Sequence, residues 1–591
     1  MEETLNQGDD SPPSQQLSDS KISKPVAWTL LSVILIGALC LQVYGIGKME
    51  GTPDECRLVE NAVLLVEGYH PFNPDGYGMS AIRLWSAAFN GGWLAGNFRI
   101  IWEGLKNRRF GSILEALDES RQRFFADPLK VNMRLRWINA LAAVVVVWLT
   151  YLIAARWSGY REAGLVAATV CAVSPTVVMW GTDFHPDQFQ AVATLACIYF
   201  CIGEAGHAGR RGKKQWVAAS VFCGIGMATK FIAITFWVPL VLAIVLGTRG
   251  SPARLTINRI IIATVLVLVA YLIINPYPLT DMSLFLKGIF KRVFFIYEGH
   301  GFSTYKGSGW MELIRIMLKG IGIAALSLAT VGLVWGIKCR TEGSLVILFG
   351  IFAYSALLAS SNFIGFRYVF SLVPLVSILA SGAVMALANK VPGRLSALVA
   401  LLLVIIASMP VADSLHIVSR RANGDTRTLA REWIERNIRP GSRIFTNYHA
   451  PILNYDLNSA RYWRDYFGNR LTSTAPKGFP FEFFREAILQ EERYYYKRFR
   501  YLAGMDKLPS PGYDLVELVY APNNPNLTDG FDLFWVVVSR SFFYKPQKRA
   551  LAGKLLFMTG RHGRLAARFP NKGLFGSEIL IYKVEPKTPV K

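Results

Sequence analysis

Charge is scarce in this chain. Only 18% of its 591 residues are Asp, Glu, Lys or Arg, while 52% are apolar. The apolar residues gather in runs too long and too uninterrupted for a soluble core. That shortage excludes a soluble globular protein and leaves a polytopic α-helical membrane protein. Cysteine is scarce too. Cys40, Cys171, Cys197, Cys201, Cys223 and Cys339 lie in or beside apolar runs and only Cys56 sits on a long loop, so the seven build neither a disulfide framework nor a metal-ligand spacing. The chain also lacks a nucleophile elbow, a P-loop, a zinc-protease motif and a dinucleotide fingerprint. Acidic residues are outnumbered, 41 against 64 Lys and Arg, for a net charge of +23. In a soluble protein that excess would point to nucleic acid. Here no basic stretch interleaved with aromatics stands outside a membrane context, and most of the excess falls in short loops on one side of the membrane, the positive-inside pattern.

Residues 1–24 are polar and aperiodic and read as a disordered cytoplasmic tail. Val26 to Ile46 is longer than a signal-peptide core and has no small-residue cleavage site, so it reads as an uncleaved first span. Residues 47–132 then form an external loop. Within it Ile82, Trp85, Phe89 and Trp93 share one helical face, as in an interfacial helix, and Ile113 to Phe125 reads as a second, more charged helix. Ten further apolar runs follow: Met133–Ala155, Gly164–Trp180, Phe189–Ile202, Trp216–Thr229, Phe231–Leu246, Ile260–Ile274, Ile314–Ile337, Leu345–Ser360, Tyr368–Leu387 and Leu395–Ala412. Eleven spans in all put the C-terminus outside. Residues 25–412 are thus expected to form the membrane bundle. Residues 413–591, richer in charge and aromatics, are expected to form an extracytoplasmic α/β domain, with a helix over Thr426–Asn437 and strands over Arg443–Thr446, Phe534–Ser539 and Ile579–Val584.

Three places carry charge where charge is expensive. Asp54 and Glu55 follow the first span directly; they are either functional carboxylates at the mouth of the bundle or an N-cap pair on a loop helix. Trp216–Leu246 has basic loops at both ends and must return to the side it entered. Each limb of about 15 residues spans about 22 Å, less than the hydrocarbon core, so the turn Ala228–Phe231 sits below the outer surface. Lys230 in that turn either meets an anion or snorkels to the headgroups. Asp183, His185 and Asp187 stand between two spans. They could orient an acceptor or ligate a divalent metal together with Glu298 and His300, or Asp187 could simply cap the next helix.

Several patterns taken in order resemble one family: Asp54-Glu55 after the first span, Asn73-Pro74, Arg134 with Asn139-Ala140-Leu141, Asp183-Phe184-His185-Pro186-Asp187, Gly226-Met227-Ala228-Thr229-Lys230-Phe231, Asn275-Pro276-Tyr277-Pro278 with Asp281, Phe366-Arg367-Tyr368 with Pro374, and Trp433-Ile434-Glu435-Arg436-Asn437 with Pro440-Gly441. They resemble the polyprenyl-phosphate-sugar-dependent glycosyltransferases, the protein O-mannosyltransferase and aminoarabinose-transferase-like enzymes of the GT-C fold, over residues 26–440. The resemblance implies inverting transfer of a sugar from a polyprenyl-phosphate carrier to a glycan, lipid or protein hydroxyl on the outer face of the plasma membrane. It implies Asp54 as general base, with Glu55 and Asp187 as its catalytic companions. Lys230 and Arg367 would bind the donor phosphate, and His185, Asp183, Arg57 and Tyr368 would complete the substrate site. One departure is Pro74-Asp75-Gly76-Tyr77-Gly78-Met79, where lipid-A-modifying members carry an acidic residue followed by lysine; this argues against lipid A as acceptor. A flippase of lipid-linked sugar or a non-catalytic glycan-binding scaffold are the competing classes. A flippase would show paired inverted repeats, and the sequence has none.

Overall fold

A computed structural model describes residues 22–50, 55, 106, 129–206, 215–280, 308–339, 341–362, 364–388, 408–447, 450–472, 513–517, 534–539, 563–573 and 577–585, with isolated positions at 282–290, 390–405 and 496–503. Asp54, Arg57, Asn73-Pro74, both proposed interfacial helices of the first loop, Glu298 and His300 lie outside the described residues, as does most of the run Leu395–Ala412.

The bundle is built from α1 (Lys24–Val43), α2 (Leu129–Ser158), α3 (Arg161–Ala172), α4 (Pro175–Trp180), α5 (Asp187–Ala205), α6 (Gln215–Thr229), α7 (Trp237–Gly247), α8 (Ala253–Ile274), α9 (Gly309–Ile321), α10 (Ile323–Cys339), α11 (Glu342–Ala359) and α12 (Leu372–Ala388). Among the described residues five helices are long and apolar enough to cross a membrane, six if α9 and α10 count as one, and three shorter apolar helices accompany them. Two expected spans are broken. Gly164–Trp180 becomes α3 and α4, because Pro175 has no N–H to continue the helix and Ser174 Oγ turns away to the Gly320 carbonyl at 2.6 Å. Ile314–Ile337 becomes α9 and α10, bent by 116° at Gly322, whose φ of +88° a side chain would resist. On α9, Trp310, Met311, Ile314 and Leu318 are exposed while Leu313, Ile316 and Met317 are buried, so a helix steeply inclined to its neighbouring span carries an apolar stripe of its own.

The hairpin is as short as its sequence requires. Helix α6 has 15 residues and ends at Thr229; Lys230 is extended, and a 3₁₀ turn over Phe231–Phe236 leads into α7. A second 3₁₀ turn, Phe366–Val369, precedes α12.

At one end of the bundle, α13 (Val411–Asn423) and α14 (Thr426–Asn437) lead into a small α/β module. It consists of β1 (Arg443–Thr446), α15 (Leu457–Thr472), β2 (Asp514–Glu517), β3 (Phe534–Ser539), β4 (Gly563–Phe569) and β5 (Ile579–Val584). The sheet runs β2-β1-β3-β5-β4, parallel around β1 and antiparallel through β3, β5 and β4. Trp463 of α15 is wholly buried, stacked against Phe467 and Phe499, and donates its indole N–H to the Leu515 carbonyl at 2.9 Å. The module's core does not stop at the bundle, because Leu135 of α2 and Phe184 belong to the same buried cluster.

The junction is closed by backbone contact. Arg421, fully buried, donates to the carbonyls of Leu41, Gln42 and Val178, so one cation serves the C-terminal ends of α1 and α4. Gly45 turns the chain at φ +76°, and a Cβ there would stand 2.7 Å from the Ala422 nitrogen. Gly45→Ala therefore meets a conformational penalty and a backbone clash together. The variant should lose more than about 1 kcal/mol of stability, read as a clear fall in Tm in detergent; an unchanged Tm would mean that the junction is looser than described.

Candidate functional site

The segment between α4 and α5 organises the site. Asn139, one turn into α2's membrane run, donates its side-chain amide to the carbonyls of Asp183 and His185, the latter at 3.3 Å. That bond turns the Asp183-to-Asp187 side chains toward two clusters, one on either side.

The first cluster joins residues far apart in sequence. Lys230 Nζ is 2.5 Å from Asp187 Oδ1, with 7% and 3% of the two side chains exposed. Lys230 also lies 4.3 Å from the centroid of the Tyr368 ring. It therefore does not snorkel: it is held by a carboxylate and an aromatic face. The Asp187 side chain makes no cap hydrogen bond at the start of α5, although its charge sits in the helix's first turn, where the dipole favours an anion. Arg367, on the 3₁₀ turn, places its guanidinium 5.5 Å from the same Tyr368 ring and Nη1 3.2 Å from His185 Nε2. The guanidinium thus lies against the edge of the imidazole ring. The turn itself is pinned from behind, where the Tyr354 hydroxyl donates to the Tyr368 carbonyl at 3.0 Å.

The second cluster surrounds Glu55. Arg136 of α2 grips its carboxylate with both branches of the fork, Nε to Oε1 at 2.7 Å and Nη2 to Oε2 at 2.6 Å. The remaining Arg136 donors reach the carbonyls of Ile46, Met49 and Glu50. Asp183 stands within the field of this pair: burial and the Glu55 carboxylate push its carboxyl up to about 7, against the pull of Arg136, Arg421 and Arg427. Asp183 Oδ1 has no hydrogen-bond partner, as suits a proton-bearing or ligand-facing oxygen.

The structure thus brings Asp187, Lys230, Tyr368, Arg367 and His185 together, and links them to Asp183, Glu55 and Arg136 through Asn139. Arg136, Asn139 and Glu50 complete the arrangement beyond the residues expected from sequence. The signal for Arg136 was present: it is three residues before Asn139 and shares its helical face, whereas Arg134 does not. For a metal, the ring of His185 is turned to a guanidinium and Asp187 to an ammonium. Among the described residues no group of three or more His, Cys, Asp or Glu side chains is placed to hold an ion.

Residues 129–277, about a quarter of the chain, match the family model described as Dolichyl-phosphate-mannose-protein mannosyltransferase. Among solved structures, ArnT from Cupriavidus metallidurans in the apo state aligns with 95% of this chain and 98% of its own, at 12% identity and a TM-score of 0.50. The same protein bound to undecaprenyl phosphate gives 12%, the same coverage and 0.46. The archaeal oligosaccharyltransferase AglB from Archaeoglobus fulgidus, in complex with an inhibitory peptide and a dolichol-phosphate, aligns at 12% identity over 96% of this chain and 75% of its own, with a TM-score of 0.43. No curated protein matches the chain. The bundle with its small C-terminal sheet has the fold of the apo ArnT structure, the GT-C fold.

Two predictions follow from the buried charges. Lys230→Met strands the Asp187 carboxylate and should lower stability by about 3–5 kcal/mol, whereas adding Asp187→Asn should restore most of it; thermal unfolding of the two single variants and the double variant checks this, and additive losses would contradict a buried pair. The second concerns Glu50, whose carboxyl burial pushes up to about 7 from 4.5 against the pull of Arg427 and Arg431. Between these pH values the folded protein holds a proton that the unfolded chain has released. This contribution is therefore complete below pH 4.5 and disappears as pH rises through 7. Glu50→Gln should remove a loss of about 3 kcal/mol between pH 5 and pH 8, seen as a Tm difference from the parent that grows with pH in the variant's favour.

Proposed function

We propose that this protein is an inverting glycosyltransferase that moves a sugar from a polyprenyl-phosphate carrier to an acceptor hydroxyl of a glycan, lipid or protein. The observation that carries this reading is the convergence of Lys230, Arg367 and Tyr368 on the Asp183-to-Asp187 segment, beside the Arg136-clamped Glu55. Support for a lipid-phosphate donor comes from the partial match to a dolichyl-phosphate-mannose transferase model.

In this reading the Arg367 fork and the Lys230 ammonium face the donor phosphate, whose negative charge grows as the C1–oxygen bond breaks. The departing phosphate is already a stable anion, so the residues supply fixed positive charge and no general acid. Lys230 reaches the phosphate by sharing its donors between Asp187 and the ligand; Asp187 holds the ammonium charged in an apolar surrounding until the donor arrives. Asp54, the chain neighbour of Glu55, takes the proton of the acceptor hydroxyl as the oxygen attacks C1 from the face opposite the phosphate, inverting the anomeric carbon. Glu55, neutralised by Arg136, is structural to that loop. The module end of the bundle faces outward from a plasma membrane, with the N-terminus in the cytoplasm, as the basic loops require.

Asp54→Asn should leave folding intact and lower turnover by about two to four orders of magnitude. Arg367→Lys should keep the charge, lose the fork, and weaken donor binding by about tenfold or more. Both are measured on purified protein with a polyprenyl-phosphate sugar; transfer at the parental rate by the Asp54 variant would remove the proposed base.

A further inference from the structure

Glu50 is buried to 2% exposure and sits between the first span and the Asp54-Glu55 pair. Its contacts come almost entirely from the C-terminal part of the chain. Its N–H donates to Asp425 Oδ2 at 3.3 Å, its carboxylate Oε1 accepts from the Ile452 N–H at 2.5 Å, and its carbonyl accepts from Arg427 Nη2 at 3.1 Å. The same carbonyl also accepts from Arg136 Nη2 at 3.1 Å, and Arg136 is the residue that grips Glu55. Two guanidinium groups, one from α14 at the entrance to the module and one from α2, therefore meet on a single peptide oxygen.

Arg427 is itself fixed. Asp425 accepts from the Arg427 N–H at 2.9 Å as the N-cap of α14, and its two carboxylate oxygens take Arg427 Nε at 3.0 Å and Nη2 at 2.6 Å. The Thr426 hydroxyl donates to the Ser577 carbonyl at 2.7 Å, two residues before β5, so the start of α14 is tied to the sheet. A continuous set of bonds thus runs from the sheet through α14 and Arg427 to Glu50, and from Glu50 through Arg136 to Glu55.

We infer that the α/β module is the positioning element of Glu50 and Glu55, with Arg427 as the positioning residue that fixes Glu50 and, through Arg136, Glu55. This rests on the proposed function in one respect only, that the acidic loop is where acceptor chemistry occurs. The energetic logic is that of a carbonyl with two charged donors. Arg136 serves five acceptors, among them the Glu50 carbonyl and both Glu55 oxygens, while Arg427 ties the Glu50 end to the start of α14. An error of about 1 Å in a reacting group costs on the order of a hundredfold in rate, so an anchor on Glu50 and Glu55 acts on turnover without touching substrate.

The test uses full-length protein in detergent or nanodiscs, comparing the parent with Arg427→Met and Arg427→Lys by hydrogen exchange of the peptide covering residues 45–57. Arg427→Met should raise exchange in that peptide by about tenfold or more, while α5, α6 and α12 exchange as in the parent; Arg427→Lys should lie closer to the parent. With a polyprenyl-phosphate sugar, kcat should fall about ten- to hundredfold at little-changed KM for the donor, because the Lys230 and Arg367 cluster is untouched. If Arg427→Met does not fold, Asp425→Asn loosens the Arg427 grip while keeping the cap and should give the same local rise to a smaller extent. Unchanged exchange over 45–57, or a rise spread evenly over the molecule, overturns the inference. Local exchange that rises in a protein without transferase activity upholds the positioning link and removes only the proposed function, so the two failures are distinguishable.

Discussion

A charge taken out of water must meet its opposite within hydrogen-bond reach, and this single constraint arranges one end of the bundle. The effective penalty of burying a lone carboxylate or ammonium is several kcal/mol, more than most single contacts return. Asp187 is therefore found on Lys230, Glu55 on Arg136, and Asp425 on Arg427, each pair between 2.5 and 2.6 Å apart. Two of the three pairs join elements that sequence separates. Asp187 opens α5 and Lys230 follows α6; Arg136 belongs to α2 and Glu55 to the segment after α1; Asp425 and Arg427 are near neighbours at the start of α14. The ion pairs thus do the work of loops and linkers in a region where short helices and broken spans leave many backbone groups to satisfy. Their geometry also leaves fixed positive charge beside an aromatic face, an arrangement suited to holding an anion.

Packing follows from the same places. Small residues and chain breaks fall where elements crowd: Pro175 ends α3's run, Gly322 turns α9 away from α10, and Gly45 lets α13 approach the end of α1. The module is not an appendage on this scaffold. Leu135 and Phe184 enter its hydrophobic core, so α2 and the segment holding Asp183 and His185 are shared between the apolar core of the module and the polar site. Shifting the module against the bundle would move both clusters at once.

Much of this was legible in the sequence, for identifiable reasons. Helix Thr426–Asn437 and strands Arg443–Thr446, Phe534–Ser539 and Ile579–Val584 agree with their expected limits, because interior strands need β-branched and aromatic residues on both faces and so announce themselves. The strands that sequence did not reveal, Asp514–Glu517 and Gly563–Phe569, are the two edges of the sheet. An edge strand is paired along one side only and tolerates a weaker strand pattern, and Gly-Arg-Leu-Ala-Ala-Arg-Phe carries no strand signature. Limb length marked Lys230 as a lysine in a short turn that either meets an anion or snorkels, and the structure shows the first, with Lys230 buried against Asp187. The partner itself was not legible, because Asp187 lies 43 residues away and no local pattern encodes a contact between helices. Arg136 was hidden by a choice between two arginines that only helical phase decides. The broken spans were hidden because apolar composition continues through Pro175 and Gly322 while the helix does not.

The account stands on one assignment: that the Lys230, Tyr368 and Arg367 cluster is the seat of a lipid-linked phosphate. The most direct measurement is a structure of the protein in nanodiscs with a polyprenyl phosphate bound. The account predicts phosphate density within hydrogen-bond distance of the Arg367 guanidinium and the Lys230 ammonium, with Asp187 still on Lys230 and the isoprenoid leading away between spans. Phosphate density elsewhere on the protein, with the His185, Arg367 and Lys230 side chains placed as they are without ligand, would contradict it.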